Sequence, residues 1–357
     1  MARPNQATLD LDALRHNVVL TRQLAPDSRL MAVIKANAYG HGMTVIGKAL
    51  QPQVDALAVA CIEEAVELRD AGITVPILLL EGVFEPAELA LAARLQLWLT
   101  IANERQLEWL EQSTLTQPVS CWLKIDTGMN RKGVPTDRAM ACHRRLLECG
   151  QVRADPVSFT HFATADDLDA PLTQRQLQRF DQLTVSGPRS AANSAGVLAW
   201  PNSHYDWIRP GYMLYGHSPM LETHPAAQAL RPVMTLSSAV VAVRDLAAGE
   251  SVGYGCTWVA ARPSRIATVT IGYGDGYPRN APNGTPVLIN GQRAPLAGRV
   301  SMDMITVDVT DLEAVQAGDT VILWGQTLPL AEIAKRADTI GYELTTRMPA
   351  RTPRIIA

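Results

Sequence analysis

Lys35 ends a short apolar run, Leu30–Ile34, and is followed by Ala-Asn-Ala-Tyr39-Gly40-His41-Gly42. An ammonium at the end of a buried strand is partly desolvated. That lowers its pKa and leaves an amine nucleophilic enough to form a Schiff base. A lysine so placed can also do no more than snorkel its charge to the surface. Further along, Lys124 and Asp126 end another apolar run, His161 follows a third and Asn193-Ser194 a fourth. Arg209 lies between Trp207-Ile208 and Pro210-Gly211-Tyr212. Ser194 offers a hydroxyl, and Gly211 and Tyr212 offer backbone N–H groups that a missing Cβ lets a phosphate approach. A turn glycine and a helix-capping serine would have the same residues. On their chemistry alone, Lys124, Asp126 and Arg131 form a set that could be a structural ion-pair network.

Short apolar strands alternating with amphipathic helices must position these groups. Candidate strands are Leu30–Ile34, Ala56–Cys61, Pro76–Glu81, Leu97–Ile101, Val119–Asp126, Val157–Phe162, Arg189–Ser194 and Trp207–Leu214. Strand–helix alternation implies right-handed crossovers and a parallel sheet. Eight such units in under 200 residues predict a closed (β/α)₈ barrel, in which chemistry sits at the C-terminal strand ends. The reactive-looking residues fall at those ends. Near residue 230 the texture turns β-rich, with runs Val233–Val243, Arg265–Ile271, Pro286–Ile289 and Met304–Val309, and one helix near Pro329–Ala337. Asn290-Gly291 is a hairpin signal. The division expected is a barrel over residues 1–228 and a mostly-β domain over 229–357.

The chain has 357 residues with 47% hydrophobic and 19% charged content, ordinary for a globular protein. A net charge of −3 and the lack of a basic, aromatic-studded stretch argue against nucleic-acid binding. No run is long enough to span a membrane, and the first residues lack a signal-peptide core. Five cysteines, an odd number without zinc spacing, read as reduced thiols, so no metal is expected and a cytoplasmic location is.

The string Lys35-Ala-Asn-Ala-Tyr-Gly-His-Gly42 resembles the pyridoxal-phosphate lysine segment of alanine racemases. Further segments resemble the same family in order: Trp122-Leu-Lys-Ile-Asp-Thr-Gly-Met-Asn-Arg131, Asn193-Ser194, Arg209-Pro-Gly-Tyr-Met-Leu-Tyr-Gly216, Val252-Gly-Tyr-Gly-Cys256, Gly272-Tyr-Gly-Asp-Gly-Tyr277 and Val300-Ser-Met-Asp-Met304. The resemblance runs from Leu9-Asp10 to about Arg354. Two departures stand out. Lys132 replaces a residue that is usually apolar, and Leu344-Thr-Thr-Arg-Met-Pro replaces a more apolar run usually containing a cysteine.

The resemblance implies pyridoxal 5'-phosphate as cofactor, alanine as substrate and a head-to-tail homodimer. It implies that Lys35 carries the cofactor as a Schiff base and that Tyr39, His161, Asn193, Ser194, Arg209, Gly211, Tyr212 and Tyr342 bind it. Arg131 and Met302 would hold the substrate carboxylate, with Asp303, Tyr273 and a carbamylated Lys124 completing the substrate site. Lys35 and Tyr254 would be bases on opposite faces of the substrate. A tyrosine's ordinary pKa of about 10 is high for that task, and the family places His161 between Tyr254 and Arg209. Arg209 would face the pyridine nitrogen, where a group that cannot give up its proton weakens the cofactor as an electron sink. That suits racemisation and argues against a barrel decarboxylase, whose partner there is a carboxylate. A non-catalytic pyridoxal-phosphate carrier would lack the β domain. A broad-specificity racemase is a nearer alternative. The D-alanine so made or consumed is a peptidoglycan precursor.

Overall fold

The computed structural model describes residues 3–221 and 223–357 as two compact units. One is a closed parallel barrel. Its strands, in order, are Arg29–Val33, Ala56–Val59, Ile77–Leu79, Leu97–Ile101, Cys121–Asp126, Val157–Phe159, Arg189–Ser190 and Trp207–Ile208. The ring closes where Trp207 and Ile208 pair with Arg29 and Leu30. The strands are short, and most functional residues sit just beyond them, Lys124 lying within Cys121–Asp126. His161, for example, lies past the strand that ends at Phe159.

Alternate residues of a strand point the same way, so Trp122 and Lys124 share the barrel interior, as do Trp98 and Thr100. Trp98, Trp122 and Trp207 fill that interior, with ring centroids 6.1, 5.6 and 5.5 Å apart. Phe159 packs edge-on against Trp122 at 5.6 Å. This aromatic plug makes the barrel a packed core and leaves the polar groups at the C-terminal strand ends.

The other unit comprises the described residues of Met1–Leu14, with Tyr39–His41 and Arg231–Ala357. Its central strand, Met234–Leu246, pairs with Thr320–Trp324 and Gln6–Leu9, and at its far end with Ser264–Val269. Gln6–Leu9 therefore belongs to this sheet, running parallel to Arg354–Ile356, and not to the barrel expected over residues 1–228. Its partners lie more than 200 residues away, and Ala7 and Leu9 are fully buried there. The hairpin expected at Asn290-Gly291 joins Pro286–Ile289 to Gln292–Pro295, with φ of 51° and 79° at its two turn residues. Such positive φ values at both positions define the turn whose twist matches its strands.

Candidate functional site

The turn after Lys35 is left-handed. Ala36, Asn37, Ala38 and Tyr39 have φ between 52° and 54°, a conformation that costs an L-residue about 1–2 kcal/mol each. Its ties explain how it persists. Ala36 N–H donates to Glu64 Oε1 at 2.6 Å, Met43 N–H to Asn37 Oδ1 at 2.7 Å, and Gly42 N–H to the Asn37 carbonyl at 3.0 Å. Strain held by surrounding structure at a strand end is a common mark of a functional site.

Lys35 itself is half-buried. Burial pushes its amine below the ordinary lysine value. Arg131 pushes the same way, while Glu81 and Glu64 oppose both. Lys124 is pushed down further, to about 8, first by burial and then by Arg209, Arg131, Lys132 and Lys35. His161 is held well below its ordinary value by burial and by Arg209, Lys124, Arg131 and Lys35, so its imidazole is neutral. The barrel thus gathers Lys35, Lys124, Arg131, His161 and Arg209 into one electrostatic neighbourhood rich in positive charge. That is a setting for an anionic ligand.

Arg209 is buried, and its guanidinium is pinned by backbone and hydroxyl acceptors. Nη2 donates to the Thr160 and Ala191 carbonyls at 2.6 and 3.3 Å, and Nη1 donates to Ser190 Oγ. Burial lowers its pKa, but an arginine with those bonds stays cationic. Among the described residues Nε has no acceptor, which leaves it as the donor available to a ligand. The ring of Phe159 lies 4.9 Å from its Cζ.

Ser194 Oγ accepts from Gly211 N–H at 3.0 Å and Met213 N–H at 3.2 Å. This differs in detail from the expectation that Gly211 presents its N–H outward. The hydroxyl instead binds the Gly211 and Tyr212 turn to the helix Ser194–Ala199. Asn193, not Ser194, caps that helix, its Oδ1 accepting from Gly196 N–H at 3.0 Å. Asp126 Oδ1 accepts from Gly128 and Asn130 N–H at 2.8 and 3.1 Å and shapes the loop that presents the exposed Arg131. Lys132 turns away from that loop's tip and donates to the Glu81 carbonyl at 2.6 Å.

The remaining expected residues lie in the β-rich unit. Tyr39 and Tyr342 pack with ring centroids 6.0 Å apart, and burial pushes the Tyr39 phenol up to about 12. Tyr254 sits on a turn flanked by Gly253 and Gly255 at φ of 74° and 72° and is 70% exposed. With Arg299, Ser301 and Met304 it lines a cavity of about 350 Å³. Met302 and Tyr273 are exposed as well. Asp303, expected to face the substrate, spends Oδ1 on Arg351 Nη2 at 2.5 Å.

Glu64, Glu81, Phe159 and the Thr160 carbonyl went unread in the sequence. Glu81 was the most accessible of them, because it follows the apolar run Ile77-Leu-Leu-Leu at a C-terminal strand end.

A family described as alanine racemase, N-terminal domain, matches residues 9–219, and its C-terminal domain counterpart matches residues 233–356. The chain belongs to the alanine racemase family. An alanine racemase of Stutzerimonas stutzeri is 51% identical over 354 residues, 99% of each chain. The crystal structure of the biosynthetic alanine racemase of Pseudomonas aeruginosa superposes with a TM-score of 0.96 at 48% identity, covering 99% of each chain. The Bacillus anthracis alanine racemase with bound L-Ala-P gives 0.88 at 31% identity, covering 100% of this chain and 96% of that one. Alanine racemases are pyridoxal-phosphate-dependent isomerases, so the decarboxylase and carrier alternatives fall away. Among the described residues no helix is long and apolar enough to cross a membrane.

Proposed function

We propose that the interconversion of L- and D-alanine characteristic of this family proceeds here by two-base proton exchange, with Lys35 and Tyr254 as the bases. The observation that carries this reading is the Lys35 amine, depressed by burial, at the mouth of a barrel lined with cations. The residues present fit pyridoxal 5'-phosphate. Gly211, with no Cβ, lets a phosphate approach the turn that Ser194 holds, and Arg209 Nε is a donor left over for a ring nitrogen. Bound there, the cofactor would withdraw electrons from the substrate Cα and make its proton acidic.

Lys35 holds or returns a proton on one face, and burial lowers its pKa, which favours release of that proton. Tyr254 serves the opposite face. Arg209 donates without ever accepting, so a cofactor ring nitrogen facing it would remain unprotonated and its electron withdrawal would be moderate. Arg131 and the Met302 turn hold the alanine carboxylate. Lys124, with a pKa of about 8 among four cations, suits conversion to an anionic carbamate facing Arg131. The neutral His161 completes the polar neighbourhood of Arg209.

Tyr254, Tyr273, Met302 and Met304 are all exposed on the β-rich unit. An exposed apolar group of that kind supports a homodimer in which Tyr254 of one chain serves Lys35 of the other. The location proposed is the cytoplasm, consistent with five free cysteines.

Incubation of the purified protein with L-alanine in D₂O tests the function. Racemic alanine with deuterium at Cα is the expected result. An amine product from loss of CO₂, or L-alanine recovered without deuterium, overturns it.

A further inference from the structure

Asp275 is fully buried in the β-rich unit, and its carboxylate is shared by the two ends of the chain. Oδ1 accepts from Arg3 Nη1 at 3.0 Å and from Arg351 Nε at 2.8 Å. Oδ2 accepts from Arg3 Nη2 at 3.1 Å and from Gly272 N–H at 3.0 Å. Arg351 then extends Nη2 to Asp303 Oδ1 at 2.5 Å, while Arg3 Nη2 also donates to the Thr270 carbonyl at 3.2 Å. Two cations and two carboxylates make a balanced set, so no member is left as an uncompensated buried charge.

The set joins two turns. Tyr273 N–H donates to the Ser301 carbonyl at 3.0 Å and Gly274 N–H to the Met302 carbonyl at 2.9 Å. The turns are so close that a Cβ on Gly272 would come within 2.2 Å of the Ser301 carbonyl oxygen. Met302 is half-exposed, so its place is set by its backbone and not by packing of its side chain. Among the described residues, side-chain ties of the segment 301–304 are Ser301 Oγ to the Met304 carbonyl at 2.7 Å, Asp303 Oδ1 to Arg351, and Arg3 Nη2 to the Asp303 carbonyl at 3.5 Å.

We propose that Arg351, braced by Asp275 and Arg3, is a positioning residue for the substrate: by holding Asp303 it sets the turn from which Met302 meets the alanine carboxylate. This rests on the reading that the Met302 turn contacts substrate. The assignment gives Asp303 an indirect role, since its carboxylate is committed to Arg351. It also makes Arg3 part of the substrate site's support.

The test compares Arg351→Ala, Arg351→Lys, Asp303→Asn, the double variant Arg351→Ala/Asp303→Asn and Met302→Ala in the holoenzyme. It uses steady-state kinetics in both directions and amide exchange of the segment 301–304. Arg351→Ala should raise KM about tenfold for both enantiomers with kcat within about threefold, the pattern of lost binding that is uniform between ground and transition states. Amide exchange at 301–304 should quicken, and Arg351→Lys should recover part of both effects. The double variant should be no worse than the poorer single one, because both remove the same tie. A KM within twofold of wild type in Arg351→Ala, or single effects that multiply in the double variant, overturns the proposal, whatever happens to Tm. If Met302→Ala raises KM while Arg351→Ala does not, only the positioning role fails. If Met302→Ala leaves KM unchanged, the substrate-contact reading fails and takes the proposal with it.

Discussion

Lys124 and Arg209 share the ring of Phe159, with Nζ 5.9 Å and the guanidinium carbon 4.9 Å from its centroid. Two cations over one aromatic ring, above a plug of tryptophans and with His161 neutral beside them, leave positive charge with few protein anions to meet it. Glu81 and Glu64 act on Lys35, not on Lys124. The imbalance calls for a negative group at Lys124.

A carbamate would supply it. Lys124→Ala should lose most racemase activity, and a small carboxylate such as acetate in the buffer should restore part of it. Electron density extending past Nζ in a crystal of the wild-type protein is the direct check. A bare amine, together with no rescue, contradicts the assignment.

Arg209 should govern side reactions. Arg209→Glu would protonate the facing ring nitrogen and strengthen electron withdrawal, so transamination should rise relative to racemisation. The ratio of pyruvate to D-alanine formed from L-alanine measures this. A ratio equal to that of wild type would remove the assigned role.

The sign of the His161 effect follows from its depressed pKa. In the unfolded chain a histidine takes up a proton below pH about 6.5, while the folded chain resists doing so. Its contribution to stability is therefore full above that pH and is lost as pH falls toward the lower folded value. His161→Asn should flatten the decline of Tm between pH 7 and 5. An unchanged slope would place the imidazole in contact with a compensating acid.

Gly40 supports a stability prediction. Its φ is 81°, and a Cβ there would fall 1.8 Å from the Thr345 carbonyl oxygen, while its own carbonyl accepts from Arg354 at 2.7 and 3.0 Å. Gly40→Ala combines a left-handed backbone with a backbone clash and should cost about 3 kcal/mol or more, read as a fall in Tm. A loss under about 1 kcal/mol would mean that the loop relaxes freely.

Much of this arrangement is legible in the residues because it is local. The Leu30–Ile34 run ending on Lys35, the strand–helix alternation and the Asn290-Gly291 hairpin each depend on neighbours a few positions away. What the residues did not disclose is non-local or conformational. Gln6–Leu9 reads like any short strand, and its membership of the β-rich sheet is decided by Met234–Ser237 and Arg354–Ile356. The left-handed turn after Lys35 uses alanines, which have no preference for that conformation, and is held by Glu64 from elsewhere in the chain. The pairing of Asp303 with Arg351 is likewise invisible without the fold, since 48 positions separate them.

Lys35 should be the attachment point of the cofactor. The purified protein should be yellow, and borohydride should link the cofactor covalently to the peptide containing Lys35. Label on another peptide, or a reducible chromophore surviving in Lys35→Ala, contradicts this.

Two bases contributed by different chains form the central claim, and subunit mixing tests it most directly. Lys35→Ala and Tyr254→Phe chains, each nearly inactive alone, are mixed under conditions in which exchange of subunits is verified. If Tyr254 acts on the other chain's Lys35, each mixed dimer has one doubly damaged site and one intact site. Random pairing then restores about a quarter of wild-type activity. If each Tyr254 serves the Lys35 of its own chain, every site carries one defect, and the mixture stays as inactive as its components.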